Sequence, residues 1–201
     1  MQITAIQIAA GLSSRMKGPN KLLEDIGGKS LIQHTYTQLA TSDIDQLIVV
    51  TGRDAHKVEA SIINSELSPP KFIFNSNFAQ GMTTSIQAGL QALDNADAIM
   101  ICLSDMPLLR TEDYNVLISA FRNKATSKSI LAPFQSGRRG NPVLFGSAYF
   151  ADIAGHQEMQ GCSELVKANL NHLIKVNVDN AHYFFGIGTP ERLAEYKARV
   201  N

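Results

Sequence analysis

Directly after an apolar run at residues 3–8, the chain reads Ala9-Ala10-Gly11-Leu12-Ser13-Ser14-Arg15-Met16-Lys17-Gly18-Pro19-Asn20-Lys21. Small residues let backbone amides approach an anion closely, the hydroxyls of Ser13 and Ser14 add donors, and Arg15 and Lys21 bring fixed positive charge. These parts suit the phosphates of a nucleotide, a triphosphate above all. The competing reading is an ordinary glycine-containing loop between a strand and a helix, with solvated cations. A second chemical group is Asp105, in Leu103-Ser104-Asp105-Met106-Pro107 at the end of the apolar run 98–103. A carboxylate there is costly unless it is solvated or paired with a cation. Magnesium suits it, being commonly held by one or two carboxylates together with phosphate oxygens and water. Capping of the following turn is the alternative role.

Two further stretches carry polar groups at turn-rich positions. In Asn75-Ser76-Asn77-Phe78-Ala79-Gln80-Gly81-Met82-Thr83-Thr84-Ser85, a glycine precedes a helix start whose amides are free donors, with Ser85 one turn inside. In Gly137-Arg138-Arg139-Gly140-Asn141-Pro142, two arginines beside glycines suit a phosphate grip or, equally, a solvated hairpin tip.

Apolar runs rich in Ile and Val at 3–8, 46–51, 71–75, 98–103, 129–132, 142–145 and 174–178 predict strands. Helical spacing predicts helices over 31–40, 55–63, 83–93, 112–123, 162–171 and 190–200, with Thr111 and Thr189 as N-caps. Runs that are continuously apolar imply strands covered on both faces, hence a three-layer α/β/α sandwich around a mostly parallel, Rossmann-like sheet. Ligands of such sheets lie outside the carboxyl ends of the strands. That rule gathers Ala10, Gly11, Ser13 and Ser14 with Thr51, Gly81 and Ser85 as candidate nucleotide contacts, and adds Asp105 and the loop 135–141.

At 201 residues the chain suits one domain, residues 1–201, with a full core. Its 18 basic and 18 acidic side chains balance without runs, which argues against nucleic acid or an anionic membrane and for a small-molecule partner. No apolar segment approaches the roughly 20 residues needed to span a bilayer, and the basic start of a signal peptide is missing. Cys102 and Cys162 lack metal-ligand spacing and read as reduced thiols, so a cytoplasmic location is expected.

The pattern Ala-Ala-Gly-x-Ser-x-Arg-Met-x-Gly-x-x-Lys resembles the signature loop of the molybdenum cofactor nucleotidyltransferases, the MobA-like NTP transferases, and is more similar to their cytidylyltransferase branch. The resemblance continues through Asp105-Met106-Pro107, the Gly81-Met82 to Ser85 element and Gly140-Asn141-Pro142-Val143-Leu144-Phe145, where Asn141 stands at a common histidine position. It implies a fold of the nucleotide-diphospho-sugar transferase type. It also implies a magnesium-dependent enzyme that transfers CMP from CTP to a phosphorylated acceptor, molybdopterin, and releases pyrophosphate. Arg15 and Lys21 would then cradle the triphosphate, Asp105 would be both catalytic and the Mg2+ ligand, and Gly81 and Ser85 would contact base and ribose.

Relatives often carry Asp-x-Asp-Thr-Pro-Glu, whereas this chain has Gly186-Ile187-Gly188-Thr189-Pro190-Glu191. If one of those acids supplies a second magnesium ligand in relatives, this chain must use Asp105 alone, recruit Asp179 or be impaired. This opens the alternative of an impaired nucleotide-binding accessory protein, beside that of a sugar- or polyol-phosphate nucleotidyltransferase. Gly28-Lys29-Ser30 imitates the end of a P-loop but lacks its earlier glycine. Asp43 and Asp45 read as a solvated turn, and His34, His56, His156, His172 and His182 lack ligand spacing.

Overall fold

Strand β1 (Ile3–Ala9) is covered on both sides, its polar Thr4 and Gln7 buried along with most of its apolar residues. In the computed structural model, which describes residues 1–16, 18–65 and 67–200, Ile3, Ala5 and Ala9 face one layer of helices. Ile6 and the adjoining Ala10 face the other. The chain continues through the small hairpin β2 (Asp25–Ile26) and β3 (Lys29–Ser30), α1 (Leu31–Ala40), β4 (Gln46–Thr51), α2 (Ala55–Ile63), β5 (Lys71–Phe74), α3 (Met82–Gln91) and β6 (Ala98–Leu103). There follow α4 (Thr111–Lys124), β7 (Ile130–Gln135), β8 (Arg138–Arg139), β9 (Val143–Gly146), α5 (Phe150–Ala154), α6 (Ser163–Ala168), β10 (Leu173–Asn177) and α7 (Pro190–Val200).

The main sheet runs β10-β7-β9-β6-β1-β4-β5, with β8 paired to β7. Pairs β1–β4, β1–β6, β4–β5 and β7–β10 are parallel, while β9 lies antiparallel between β6 and β7. This is the expected mostly parallel three-layer sandwich. One layer holds α1, α2, α4 and α7, and the other holds α3, α5 and α6. The carboxyl ends of β1, β4, β5 and β6 therefore open on one edge, where loops are free to converge. Among the described residues no helix is long and apolar enough to cross a membrane.

Local chemistry moved some boundaries. Thr111 is not the cap of α4 but its first residue. Arg110 takes the cap position, its amide donating to Asp113 Oδ2 at 2.9 Å, while the Thr111 hydroxyl bonds Thr41 and Gln38. The helix expected over 162–171 is broken into α6 and a single 3-10 turn, Leu170–His172, with the Asn169 side chain donating back to the Leu165 carbonyl. The expected loop 135–141 is a hairpin in which Arg138 and Arg139 form β8, folded back on β7 around Ser136 and Gly137 in left-handed conformation. Asp45 is not merely solvated: its carboxylate accepts from the Ile3 amide and from Arg122.

Helix α3 carries the Gly81 to Ser85 element, and Gly89 lets it lie close on the sheet. A Cβ there would stand 2.4 Å from Ile6 Cγ2 and 3.2 Å from Val50 Cγ2. Gly89→Val is therefore expected to cost about 2 kcal/mol of stability through overpacking, read as a lower midpoint in urea unfolding.

Candidate active site

The loop after β1 is held by one buried side chain. Asn20 Oδ1 accepts from the Leu22 amide at 3.1 Å and from Ser13 Oγ at 3.3 Å, while its Nδ2 donates to the Arg53 carbonyl at 3.1 Å. Ser13 adopts φ 52°, a left-handed turn that directs its hydroxyl to accept from the Lys21 amide. Arg53 ties down the outside of the same loop, donating to the Leu12 and Gly18 carbonyls. Lys17, inside the loop motif, lies outside the described residues.

So anchored, Lys21 points inward. Its Nζ donates to Asp105 Oδ2 at 2.5 Å and to the Ile187 carbonyl at 2.8 Å, with only 15% and 23% of the Lys21 and Asp105 side chains exposed. The Ile187 amide in turn donates to the Asp105 carbonyl at 2.8 Å. The segment 186–188 thus lies across the end of β6. Arg15 covers Gly188 closely enough that a Cβ there would stand 3.5 Å from both terminal guanidinium nitrogens. Among the described residues no carboxylate pairs with Arg15.

Gly11, Ser13, Ser14, Arg15, Lys21 and Asp105 line one cleft of about 250 Å³. A second of about 280 Å³ adjoins it through Arg15, Leu103, Asp105 and Gly188, and reaches Arg138, Arg139 and Asn141. Asp105 and Arg15 stand at the junction. Two clefts meeting at one carboxylate and one guanidinium can hold two anionic reactants face to face.

Other expected contacts sit further back. Ala10 is buried beneath the loop. Thr51 is fully buried, its hydroxyl donating to Glu59 Oε1 at 2.8 Å. Ser85 is buried and accepts from Asn75 Nδ2 at 3.0 Å. Gly81, at φ 117°, abuts Met159, whose carbonyl accepts from the Met82 amide, so the start of α3 is stapled to the loop before α6. The Met82 side chain remains in the cleft wall. Arg139 is half-buried and donates to Ser163 Oγ at 2.9 Å, and burial holds its guanidinium below the usual arginine range. Arg138 lies 5.4 Å over the Phe184 ring. Cys162 is in the wall of an apolar side cavity, its thiol pushed up to about 12 by burial and so protonated at neutral pH.

Sequence reasoning passed over three supports. Asn20 and Arg53 carry no chemistry of their own, and only the neighbourhood of Asn20 to Lys21 hinted at the first. The third is the buried Asp113, which accepts from Asn180 Nδ2 at 3.0 Å and lies 2.7 Å from His182 Nδ1. This pins the stretch that carries Tyr183 and Phe184 along the second cleft, and the Tyr183 carbonyl accepts from the Asn141 amide at 3.0 Å.

The model of the MobA-like NTP transferase domain matches residues 5–173, which include the loop after β1, Asp105 and the β8–β9 segment. The chain belongs to that family. A curated relative, the bifunctional protein GlmU of Solibacter usitatus, is 34% identical over 98% of the chain but only 36% of its own length. The chain spans about a third of that relative. Among solved structures, Rv0371c of Mycobacterium tuberculosis in complex with manganese superposes with TM-score 0.81 at 20% identity, covering both chains completely. A CMP:2-keto-3-deoxy-manno-octonic acid synthetase complexed with CTP does so with TM-score 0.79 at 16% identity, over 99% and 98% of the two chains. These likenesses establish the fold, which is of the nucleotide-diphospho-sugar transferase type.

Replacing Asn20 by Ala strands the Leu22 amide and the Arg53 carbonyl. The variant is expected to lose about 2 kcal/mol in urea unfolding. An unchanged unfolding midpoint would mean that the loop is not hung on this side chain.

Proposed function

We propose that the chain is a nucleotidyltransferase in which a phosphate oxygen of the acceptor attacks the α-phosphorus of an NTP. The bond from that phosphorus to the bridging oxygen breaks, and pyrophosphate leaves. The observation that carries this reading is the meeting of Arg15, Lys21 and Asp105 where the two clefts join. Catalysis of such a transfer is mostly positioning and charge stabilisation. Lys21, held in the free site by Asp105 and Ile187, would turn to the triphosphate, and Arg15 would neutralise charge developing on the transferring phosphoryl group and on pyrophosphate. Gly11, Ser13 and Ser14 would line the phosphates, with Gly81 and Ser85 shaping the base and ribose end from behind. Arg138 and Arg139 would grip the acceptor's phosphate.

CTP is the proposed donor on the Ala9-Ala10-Gly11 pattern, and molybdopterin the proposed acceptor on the family resemblance. A divalent ion, Mg2+ by preference, would be held by Asp105 and phosphate oxygens. One partly exposed carboxylate in a cleft sized for phosphates fits such an ion. When bound it would supply Lewis-acid neutralisation of phosphate oxygens. We read residues 1–201 as one domain acting in the cytoplasm, in keeping with two free, buried cysteines.

A second reading, a nucleotide-binding protein that has lost turnover, is favoured by Gly186 and Gly188 where relatives carry acids. Pyrophosphate release separates the two. With CTP, magnesium and molybdopterin, the wild-type chain is expected to release pyrophosphate, and Lys21→Ala and Asp105→Ala to lose at least about a hundredfold in kcat while staying folded. CTP binding with no turnover on any phosphorylated acceptor would favour the second reading. Full activity in either variant would overturn the assigned roles.

A further inference from the structure

We infer that this site takes up its divalent cation only together with a nucleotide, and that the nucleotide-free chain uses the Lys21 ammonium in the cation's place. The inference rests on the nucleotide-binding reading above and concerns how that site is loaded. Three observations carry it. Among the described residues Asp105 is the only carboxylate lining the two clefts, and its Oδ2 is already engaged by Lys21 Nζ at 2.5 Å. Lys21 is not loosely placed there, because the Ile187 carbonyl takes a second of its protons at 2.8 Å. The other carboxylate oxygen faces empty backbone: a Cβ on Gly186 would stand 3.7 Å from Asp105 Oδ1, so the position from which a second acid would complete a metal site carries no side chain. Among the described residues no three acidic, histidine or cysteine side chains cluster to hold a metal.

Electrostatics then decide the order of events. Arg15, Lys21, Arg138 and Arg139 line the joined clefts against that single carboxylate. A free dication entering would meet four like charges and would have to displace an ammonium from the one anionic oxygen pair available. A metal–triphosphate complex carries net negative charge and is drawn in by the same cations. Its phosphates can accept Lys21, which frees Asp105 for the metal in the same event. Lys21 is thus a built-in counter-ion that exchanges Asp105 for phosphate.

The two glycines differ in what an acid would do there. At 186 it would join Asp105, whereas at 188 it would lie against the Arg15 guanidinium and pair with it. Neither glycine sits at positive φ, so both substitutions are sterically admissible.

Equilibrium dialysis with Mn2+ and CTP tests this without turnover. Wild-type protein should retain no excess manganese on its side of the membrane with metal alone, and should retain it once CTP is present on both sides. Gly186→Asp should retain manganese without CTP, at least about tenfold more tightly than wild type, as an added carboxylate ligand does. Gly188→Asp should not. Manganese held by the nucleotide-free wild type would overturn the inference, as would a folded Gly186→Asp variant that gains nothing. CTP retained with no manganese beside it would also overturn it. Retention of neither CTP nor manganese would instead remove the nucleotide-binding reading on which the inference stands.

Discussion

The Lys21 ammonium, held between the Asp105 carboxylate and the Ile187 carbonyl, joins segments 84 and 166 positions apart in the chain. Each of the three elements it connects arrives there for a separate reason. Lys21 is delivered by a loop folded around Asn20, Asp105 by the end of the fully covered strand β6, and Ile187 by a segment that hydrogen-bonds back to Asp105. In a partly buried position such a pair is worth keeping only if both ends are further satisfied, because an isolated charge there is costly. The extra carbonyl on Lys21 meets that need in the free molecule, and phosphate would meet it in the loaded one.

The sheet explains why these pieces meet at all. Parallel strands β1, β4, β5 and β6 end on one edge, and the antiparallel insertion of β9 carries the β8 arginines to the same side as Asp105. The wall of the second cleft is braced separately, through buried Asp113 at the start of α4, to His182 and Asn180. Lys21 and Asp105 are themselves outside the apolar clusters, which take in their neighbours Leu22, Met106 and Ile187. A catalytic or binding variant at Lys21 or Asp105 removes no packed apolar side chain.

Much of this was legible in the chain. The apolar runs marked strands covered on both faces, and the rule that ligands lie beyond their carboxyl ends was enough to bring Arg15, Lys21 and Asp105 to one place. What could not be read were contacts with no local signature. Asn20 looks like any loop asparagine, and Asp113 like any acid in a first helical turn, until partners 33 and 67 positions away are in view. Thr51 and Ser85 followed the strand-end and helix-start rules correctly as positions, yet their hydroxyls are buried and bonded to Glu59 and Asn75. Position in a fold is encoded by pattern, whereas the direction a side chain takes is decided by the neighbours it meets.

In the proposed mechanism the Lys21–Asp105 pair stands where phosphate and metal would bind. A crystal structure of the chain with a non-hydrolysable CTP analogue and magnesium tests it most directly. Lys21 Nζ is expected on a phosphate oxygen, Asp105 on the metal, and Arg15 still over Gly188 beside the phosphates. A bound nucleotide with the Lys21–Asp105 contact intact, or lodged in some cleft away from both residues, would contradict it.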